Sequence, residues 1–354
     1  MSSLQVGFVG AGSIAYHHAD AIESLGETVA AVADVNPDAL ATFAASYDVT
    51  ETYNDYERMF VETDLDAAIV AVPNSFHADC AVAALEADVN VLVEKPLADS
   101  VAAAERVESA ARESDADVMV GFKKAFNPWF EHARRKAETG AFGEVYDVES
   151  EYIRQRGIPQ LGSWFTQKSV AGGGAMIDIG VHQLHLVLCL LDFPEVRTVS
   201  ATTGSHFGTR EDYTYLDMWG GDPVADATFD VDDFTRAFIR TADGTTIHLH
   251  VAWASNSDPR QCIRVHGGEA GLNVTESDDE VSELFSTDDG ALTRTAFQHP
   301  EADTFVAEWS YFTAVIRGTR PHTRNTLEEG LAVQRVVEAI YESADSNREV
   351  RLDG

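Results

Sequence analysis

Gly7-Phe8-Val9-Gly10-Ala11-Gly12-Ser13-Ile14-Ala15 decides how the first part of this chain folds. The apolar run Leu4–Val9 reads as a short strand, and a helical pattern opens at Ser13. A G-x-G-x-x-G/A turn between strand and helix is built to cradle a pyrophosphate. Gly10 permits the tight turn, Gly12 lets the backbone approach the phosphates, and Ala15 keeps the helix close to the sheet. The helix start, with Ser13 and Ile14 in its first turn, adds unpaired N–H groups and positive potential. Asp34 stands 22 residues after Gly12, at the end of a second apolar run, Thr28–Ala33. A carboxylate there accepts hydrogen bonds from an adenosine ribose and repels a 2′-phosphate. No Arg or Lys follows in Val35-Asn36-Pro37, so the expected cofactor is NAD in preference to NADP.

Further apolar runs follow at Ala67–Val72, Val89–Val93 and Val118–Phe122, separated by helix-like segments. Short apolar runs alternating with helices predict a doubly wound parallel sheet, α/β in class, with ligands at the carboxyl ends of its strands. Those ends carry Asp34, Pro73-Asn74 and Glu94-Lys95-Pro96.

The remainder has a different pattern. Asn127-Pro128 is a helix start and Gly140 a stop. Strand-like stretches lie at Glu144–Arg154 and near Val196–Thr203, Thr235–Arg240, Thr245–Trp253, Cys262–His266, Val281–Ser286 and Ala291–Phe297. A helix opens after Gly172-Gly173-Gly174 and runs to about Leu191. Two more, Ala302–Arg317 and Leu327–Ser343, close the chain, the last with a Thr326-x-x-Glu329 capping box. The expected organisation is a dinucleotide-binding domain over 1–123 and an α+β domain with a large, mainly antiparallel open sheet over 124–354. The C-terminal helix 327–343 is placed to pack back on the first.

Acids number 59 and Lys plus Arg 25, a net charge of −34 spread over the whole chain. Such a surface repels nucleic acid and anionic lipid, so neither is an expected partner. It suits a cytoplasm of very high salt, where self-repulsion is screened within a few ångströms; an acidic enzyme of ordinary habitat is the plain alternative. The three cysteines, Cys80, Cys189 and Cys262, offer no disulfide framework and no metal-type spacing, and a reducing cytoplasm is the expected compartment. No signal peptide is read at the start, and no apolar run reads as long enough to cross a membrane.

Only five lysines occur, Lys95, Lys123, Lys124, Lys136 and Lys168. Lys95, at the carboxyl end of a strand and before Pro96, points to a role at the nicotinamide end of the crevice, and the Lys95–Pro96 bond is open to the cis form. Asp178 and His182 lie four apart on a helix that is apolar almost all round. Burying a carboxylate and an imidazole is costly unless they are paired or used. Three readings stay open: a catalytic pair, a satisfied core pair, and a metal face completed by His185. The three glycines before this helix would let backbone approach a ligand, or form a plain flexible loop.

The turn at 10–15 with Asp34, Val72-Pro73-Asn74-Ser75-Phe76-His77, Glu94-Lys95-Pro96, the 121–128 segment and Gly172–His182 together resemble the Gfo/Idh/MocA oxidoreductases. The resemblance covers essentially the whole chain. It implies a Rossmann domain, an α/β domain often used for oligomerisation as a homodimer or homotetramer, and NAD(P)-dependent chemistry on a sugar, inositol or related cyclic polyol. By that similarity Lys95, Asp178 and His182 match the catalytic trio. Pro73, Asn74 and His77 match the loop that touches the cofactor, and Glu94 and Lys124 are grouped with it. The chain departs from the family pattern in carrying Lys124 and Ala125 where arginines are common. It also carries His185 where Asp is common, which would retune the pocket or the pKa of His182. Tyr152, Arg154, Arg156 and Trp164 lie on segments expected to line the sugar pocket, together with His185. The expected chemistry has His182 take the hydroxyl proton as hydride departs, Lys95 hydrogen-bond the same oxygen, and Asp178 hold a neighbouring hydroxyl or orient Lys95. The family also contains NAD-dependent glycosidases with transient oxidation and a non-enzymatic sugar-responsive repressor, which stand as alternatives.

Overall fold

The computed structural model describes residues 2–216, 224, 227–275 and 281–352. The last two residues of the expected second domain lie outside them. The chain forms two compact units, residues 1–126 with 302–334 and residues 127–301 with 335–354. The sequence ranges differ from these in two ways: the division falls at 126/127, and 302–334 returns to the first unit. Burial explains the return. Helix Thr304–Ile316 completes one face of the first unit's core with Trp309 and Phe312, which pack with Phe8, Ile22 and Phe43. The closing helix, Leu327–Ser346, contributes 327–334 to the first unit and the rest to the second.

Six strands build the sheet of the first unit: β1 (Gln5–Val9), β2 (Thr28–Ala33), β3 (Glu51–Tyr53), β4 (Ala67–Val70), β5 (Asn90–Glu94) and β6 (Val118–Gly121). Their order is β3-β2-β1-β4-β5-β6, with every pair parallel. β4 and β6 are buried throughout and β5 nearly so, which is why they read as unbroken apolar runs: helices cover both faces. β3 was not expected, because it is three residues long and its first two are exposed. Strand order reverses between β1 and β4, the switch point at which such sheets bind ligands.

The second unit holds a nine-stranded sheet. Its strands are β7 (Val145–Ile153), β8 (Val196–Gly204), β9 (Phe234–Thr241), β10 (Thr246–Ala252), β11 (Arg260–Gly267), β12 (Ala270–Thr275), β13 (Val281–Asp288), β14 (Ala291–Gln298) and β15 (Val350–Arg351). The order is β14-β13-β12-β11-β7-β10-β9-β8-β15; β7 and β10 pair parallel and all other neighbours antiparallel. Seven of these strands match expected stretches. β12 and β15 do not, the one lacking a clear apolar run and the other only two residues long. Asn127 caps helix Pro128–Glu138 by accepting from the Trp129 N–H. The capping box before Leu327 is closed in both directions, with Thr326 N–H donating to Glu329 and Glu329 N–H to Thr326 Oγ1.

The helix expected after the three glycines is composite. A π turn, Met176–Gly180, leads into the α-helix Val181–Leu190. Contrary to expectation, the stretch Lys168–Leu190 has the length and hydropathy of a membrane span, but 94% of its apolar window is buried in the protein. Ser150 on β7 donates to Gln183 at 2.8 Å and fixes the helix on the sheet.

Candidate active site

The first unit carries the nucleotide cradle. Gly10 sits at φ +101°, and a Cβ there would lie 2.4 Å from the Ala71 carbonyl oxygen. Only glycine fits. A Cβ on Gly12 would meet nothing within 4 Å, so the space before the helix is open. Gly12 and Ser13 are exposed, Ile14 is half-buried against the core and Ala15 is buried. No side chain caps helix Ser13–Ser24 and no acid lies in its first turn. Ala15 N–H donates to Gly12 O at 3.0 Å, and the helix start ahead of it is open to an anion. Asp34 is oriented against the turn: Oδ2 accepts from Ala11 N–H and Oδ1 from Asn36 N–H, both at 2.7 Å. Glycine turn, uncapped helix and carboxylate fit a dinucleotide.

The two loops that follow β4 and β5 are tied together. His77 is buried, with Nδ1 2.7 Å from Pro96 O and Nε2 2.8 Å from Val72 O. Burial lowers its pKa against the pull of those carbonyls. Both ring nitrogens face backbone carbonyls, so His77 ties together the two loops at which the family resemblance implies cofactor contact. Asn74 is buried in a short turn after the half-buried Pro73. Glu94 also turns inward, accepting from Lys95 N–H at 3.1 Å and meeting His18 Nε2 at 2.9 Å. Burial raises its pKa, but His18, Lys95 and Lys123 outweigh this and hold it low. Lys95 is half-buried, its peptide bond to Pro96 is cis, and Lys124 is half-buried in the turn Lys123–Phe126.

The second unit carries the acid and the imidazole. Asp178 lies in the π turn, 8% exposed, and its Oδ2 accepts from Trp253 Nε1–H at 2.9 Å. Arg154 Nη1 lies 3.9 Å from the same oxygen. Burial works against the arginine's charge, but Tyr152 and Asp178 keep its pKa raised. The Tyr152 ring lies 5.3 Å from the guanidinium. A π turn bonds i to i+5, and such turns recur at functional sites; here one carries Asp178 immediately before the helix that carries His182. His182 is 7% exposed.

Other expected residues are placed differently. Arg156 spends its donors on Gln155 O, Ser255 O and Asn256 Oδ1 and lies over Phe207, so it clamps a loop. Trp164 is half-buried and stacked on Phe165 at 3.7 Å. His185 is 1% exposed, its ring 5.8 Å from that of Phe193. Among the described residues, ligand-type atoms gather within 4.8 Å of one another at Asp147, Glu149 and His266, and the metal grouping of Asp178, His182 and His185 does not form.

The glycine run has a structural explanation, where the sequence suggested ligand approach. Gly172 takes φ +80° as the end of a helical turn. A Cβ on Gly173 would lie 2.1 Å from Tyr341 Oη, and one on Gly174 1.9 Å from Asp232 O. Asp232, buried, accepts from Gly174 N–H, Met176 N–H, Thr235 Oγ1 and Tyr341 Oη at 2.8–3.0 Å. Burial pushes this carboxyl up while those donors pull it down. Asp232 therefore anchors the start of the π turn. Sequence reasoning missed Asp232, Tyr341 and Trp253. The available signal was Trp253 at the end of β10, one strand from Arg154.

A parallel sheet with a glycine turn, an open helix start and a carboxylate ending the second strand defines a nucleotide-binding oxidoreductase fold. Residues 4–122 match the family model described as oxidoreductase family, NAD-binding Rossmann fold, and residues 130–273 match the GFO/IDH/MocA C-terminal domain. The chain belongs to the Gfo/Idh/MocA family of NAD(P)-dependent oxidoreductases acting on CH–OH groups. It is 28% identical over 357 residues to D-glucoside 3-dehydrogenase of Escherichia coli, spanning 99% of this chain and 98% of that protein. It is 25% identical to D-xylose 1-dehydrogenase (NADP(+)) 2 of Haloferax volcanii over 94% of both chains. Its fold matches levoglucosan dehydrogenase in complex with NADH and levoglucosan, with TM-score 0.87, 22% identity and full coverage of both chains.

Proposed function

We propose that this enzyme moves hydride between NAD and a secondary ring hydroxyl of a cyclic sugar, glycoside or polyol. The observation that carries the reading is the Asp178 carboxylate, held by Trp253 and Arg154 in a π turn directly before the helix of His182. Such an acid is a buried acceptor for a polyol hydroxyl, and the guanidinium beside it is a donor for the next one. Curated relatives named for glucoside, levoglucosan, xylose and inositol oxidation support the substrate class.

Bound NAD(P) supplies the hydride acceptor. The helix start at Ser13 and the glycine turn hold the pyrophosphate, and Asp34 holds the ribose and disfavours a 2′-phosphate. His182 takes the hydroxyl proton, since an unactivated alcohol is a weak acid and imidazole titrates near working pH. Lys95 supplies a hydrogen-bond donor that stabilises negative charge developing on an alcohol oxygen. Asp178 accepts from a neighbouring hydroxyl and fixes the ring. The net charge of −34 supports operation in a cytoplasm of high salt, and the open second sheet supports assembly into a dimer or tetramer.

The test is NADH formation with a panel of glycosides, aldoses, inositols and sugar acids, with NAD and with NADP, in molar salt. We expect turnover with a cyclic polyol or glycoside and preference for NAD. Release of free sugar without net NADH would assign the glycosidase variant of the chemistry, and no turnover on any polyol would remove the reading.

A further inference from the structure

We propose that His18 is a positioning residue for Lys95, acting through Glu94 in a hydrogen-bonded relay anchored by Trp309. The inference rests on the catalytic role proposed above for Lys95.

An indole N–H can only donate. Trp309 Nε1–H donates to His18 Nδ1 at 2.9 Å, so that nitrogen must carry a lone pair. The proton of the neutral ring is then on Nε2, 2.9 Å from Glu94 Oε1, and is donated to it. The other carboxylate oxygen, Oε2, accepts from the backbone N–H of Lys95 at 3.1 Å. One tautomer is compatible with all three contacts. The relay runs indole to imidazole to carboxylate to the backbone N–H of Lys95 itself.

The surroundings leave it little freedom. His18 and Trp309 are fully buried and Glu94 is 7% exposed. The ring of His18 meets Phe305 edge-on at 4.9 Å, and His17 stacks on that ring at 5.2 Å. Phe305, Glu308 and Trp309 share one face of helix Thr304–Ile316 by their i, i+3, i+4 spacing. Lys123 Nζ lies 3.7 Å from the centroid of the Phe305 ring, and its charge and that of Glu94 attract. The helix that supplies the tryptophan lies 291 residues downstream of His18, in the segment that returns to the first unit. Its return thus supports the loop after β5 as well as the core. A carboxylate whose two oxygens are spoken for by fixed donors holds the backbone at Lys95 in one place. A small misplacement of a reacting group costs rate without costing cofactor affinity.

The experiment compares wild type with His18→Leu, His18→Gln, Trp309→Phe and Lys95→Ala in the full chain, by steady-state kinetics, NADH binding fluorescence and circular dichroism. Glutamine can both accept from an indole N–H and donate to a carboxylate; leucine can do neither. The expected result is kcat lowered roughly 10- to 100-fold in His18→Leu, with NADH affinity unchanged, and restored to within a few-fold of wild type in His18→Gln. Trp309→Phe keeps the packing and frees the tautomer; it reads the relay even where His18→Leu fails to fold, and a kcat several-fold below wild type is expected. Folded His18→Leu or Trp309→Phe enzyme with wild-type kcat, or a His18→Gln enzyme no better than a folded His18→Leu, overturns the relay. Lys95→Ala separates the two claims. If it keeps full activity, the role of Lys95 itself is wrong; if it is inactive while the relay variants are normal, only the relay is wrong.

Discussion

The indole N–H of Trp253 donates to Asp178 Oδ2 at 2.9 Å, inside a unit where both are buried. The carboxylate is thereby presented by a strand end and a π turn at once. Removing the donor leaves an acceptor underserved in a low-dielectric site, where a hydrogen bond to a charged group contributes about 1.5–3 kcal/mol. Trp253→Phe, which preserves most of the ring's packing, is expected to lower kcat/KM for the polyol by roughly 10- to 100-fold. NADH affinity measured by fluorescence should not change.

Gly174 tests the scaffold beneath that acid. A methyl group there would enter the Asp232 carbonyl, at 1.9 Å. Backbone must move, and it is the backbone that starts the π turn. Overpacking of this kind costs about 1–3 kcal/mol. Gly174→Ala should lower the melting temperature and reduce kcat, whereas alanine at Gly12, where nothing lies within 4 Å, should leave the melting temperature unchanged and weaken cofactor binding.

Asp34 is the proposed determinant of cofactor preference. Its carboxylate is fixed against the glycine turn by the N–H groups of Ala11 and Asn36. Asp34→Ser removes the charge that repels a 2′-phosphate. The ratio of kcat/KM for NAD over NADP is expected to fall by roughly 10-fold or more, read with the same polyol for both cofactors.

Glu308 makes stability depend on pH. It is fully buried, neither oxygen meets a donor among the described residues, and burial with the nearby Glu94 raises its pKa well above 4.5. A raised native pKa means that the folded state holds the proton more tightly than the unfolded chain. Its contribution is fully present below about 4.5 and is lost as pH rises toward the raised value. Glu308→Gln, neutral at every pH, removes that loss. The melting-temperature gain of the variant over wild type should therefore be larger at pH 8 than at pH 5; an equal gain at both would mean that the carboxyl is not held protonated.

Much of this was legible in the residues. The glycine turn, Asp34 and the order of apolar runs specify the first sheet because a strand covered on both faces must be apolar throughout. The Asn127 cap and the Thr326–Glu329 box were readable because each satisfies helix-end N–H groups by local geometry. What was not legible depends on distance along the chain. Trp309 meets His18 from the far end of the sequence, and Asp232 reaches Gly174 across 58 residues. The glycine run looked like a ligand approach; its neighbours Tyr341 and Asp232 could not be known from spacing. Arg156 looked available for sugar, but its donors go to the 255–256 turn. A π turn leaves no simple periodic mark, so Asp178 and His182 read as one regular helix.

The central claim is that Lys95 and His182 are each required for hydride transfer. The most direct measurement is single-turnover hydride transfer to NAD by Lys95→Ala and His182→Ala, with NADH binding followed in parallel. Loss of nearly all hydride transfer in each variant, with NADH affinity intact, is the predicted result. Wild-type transfer in either one would contradict the account.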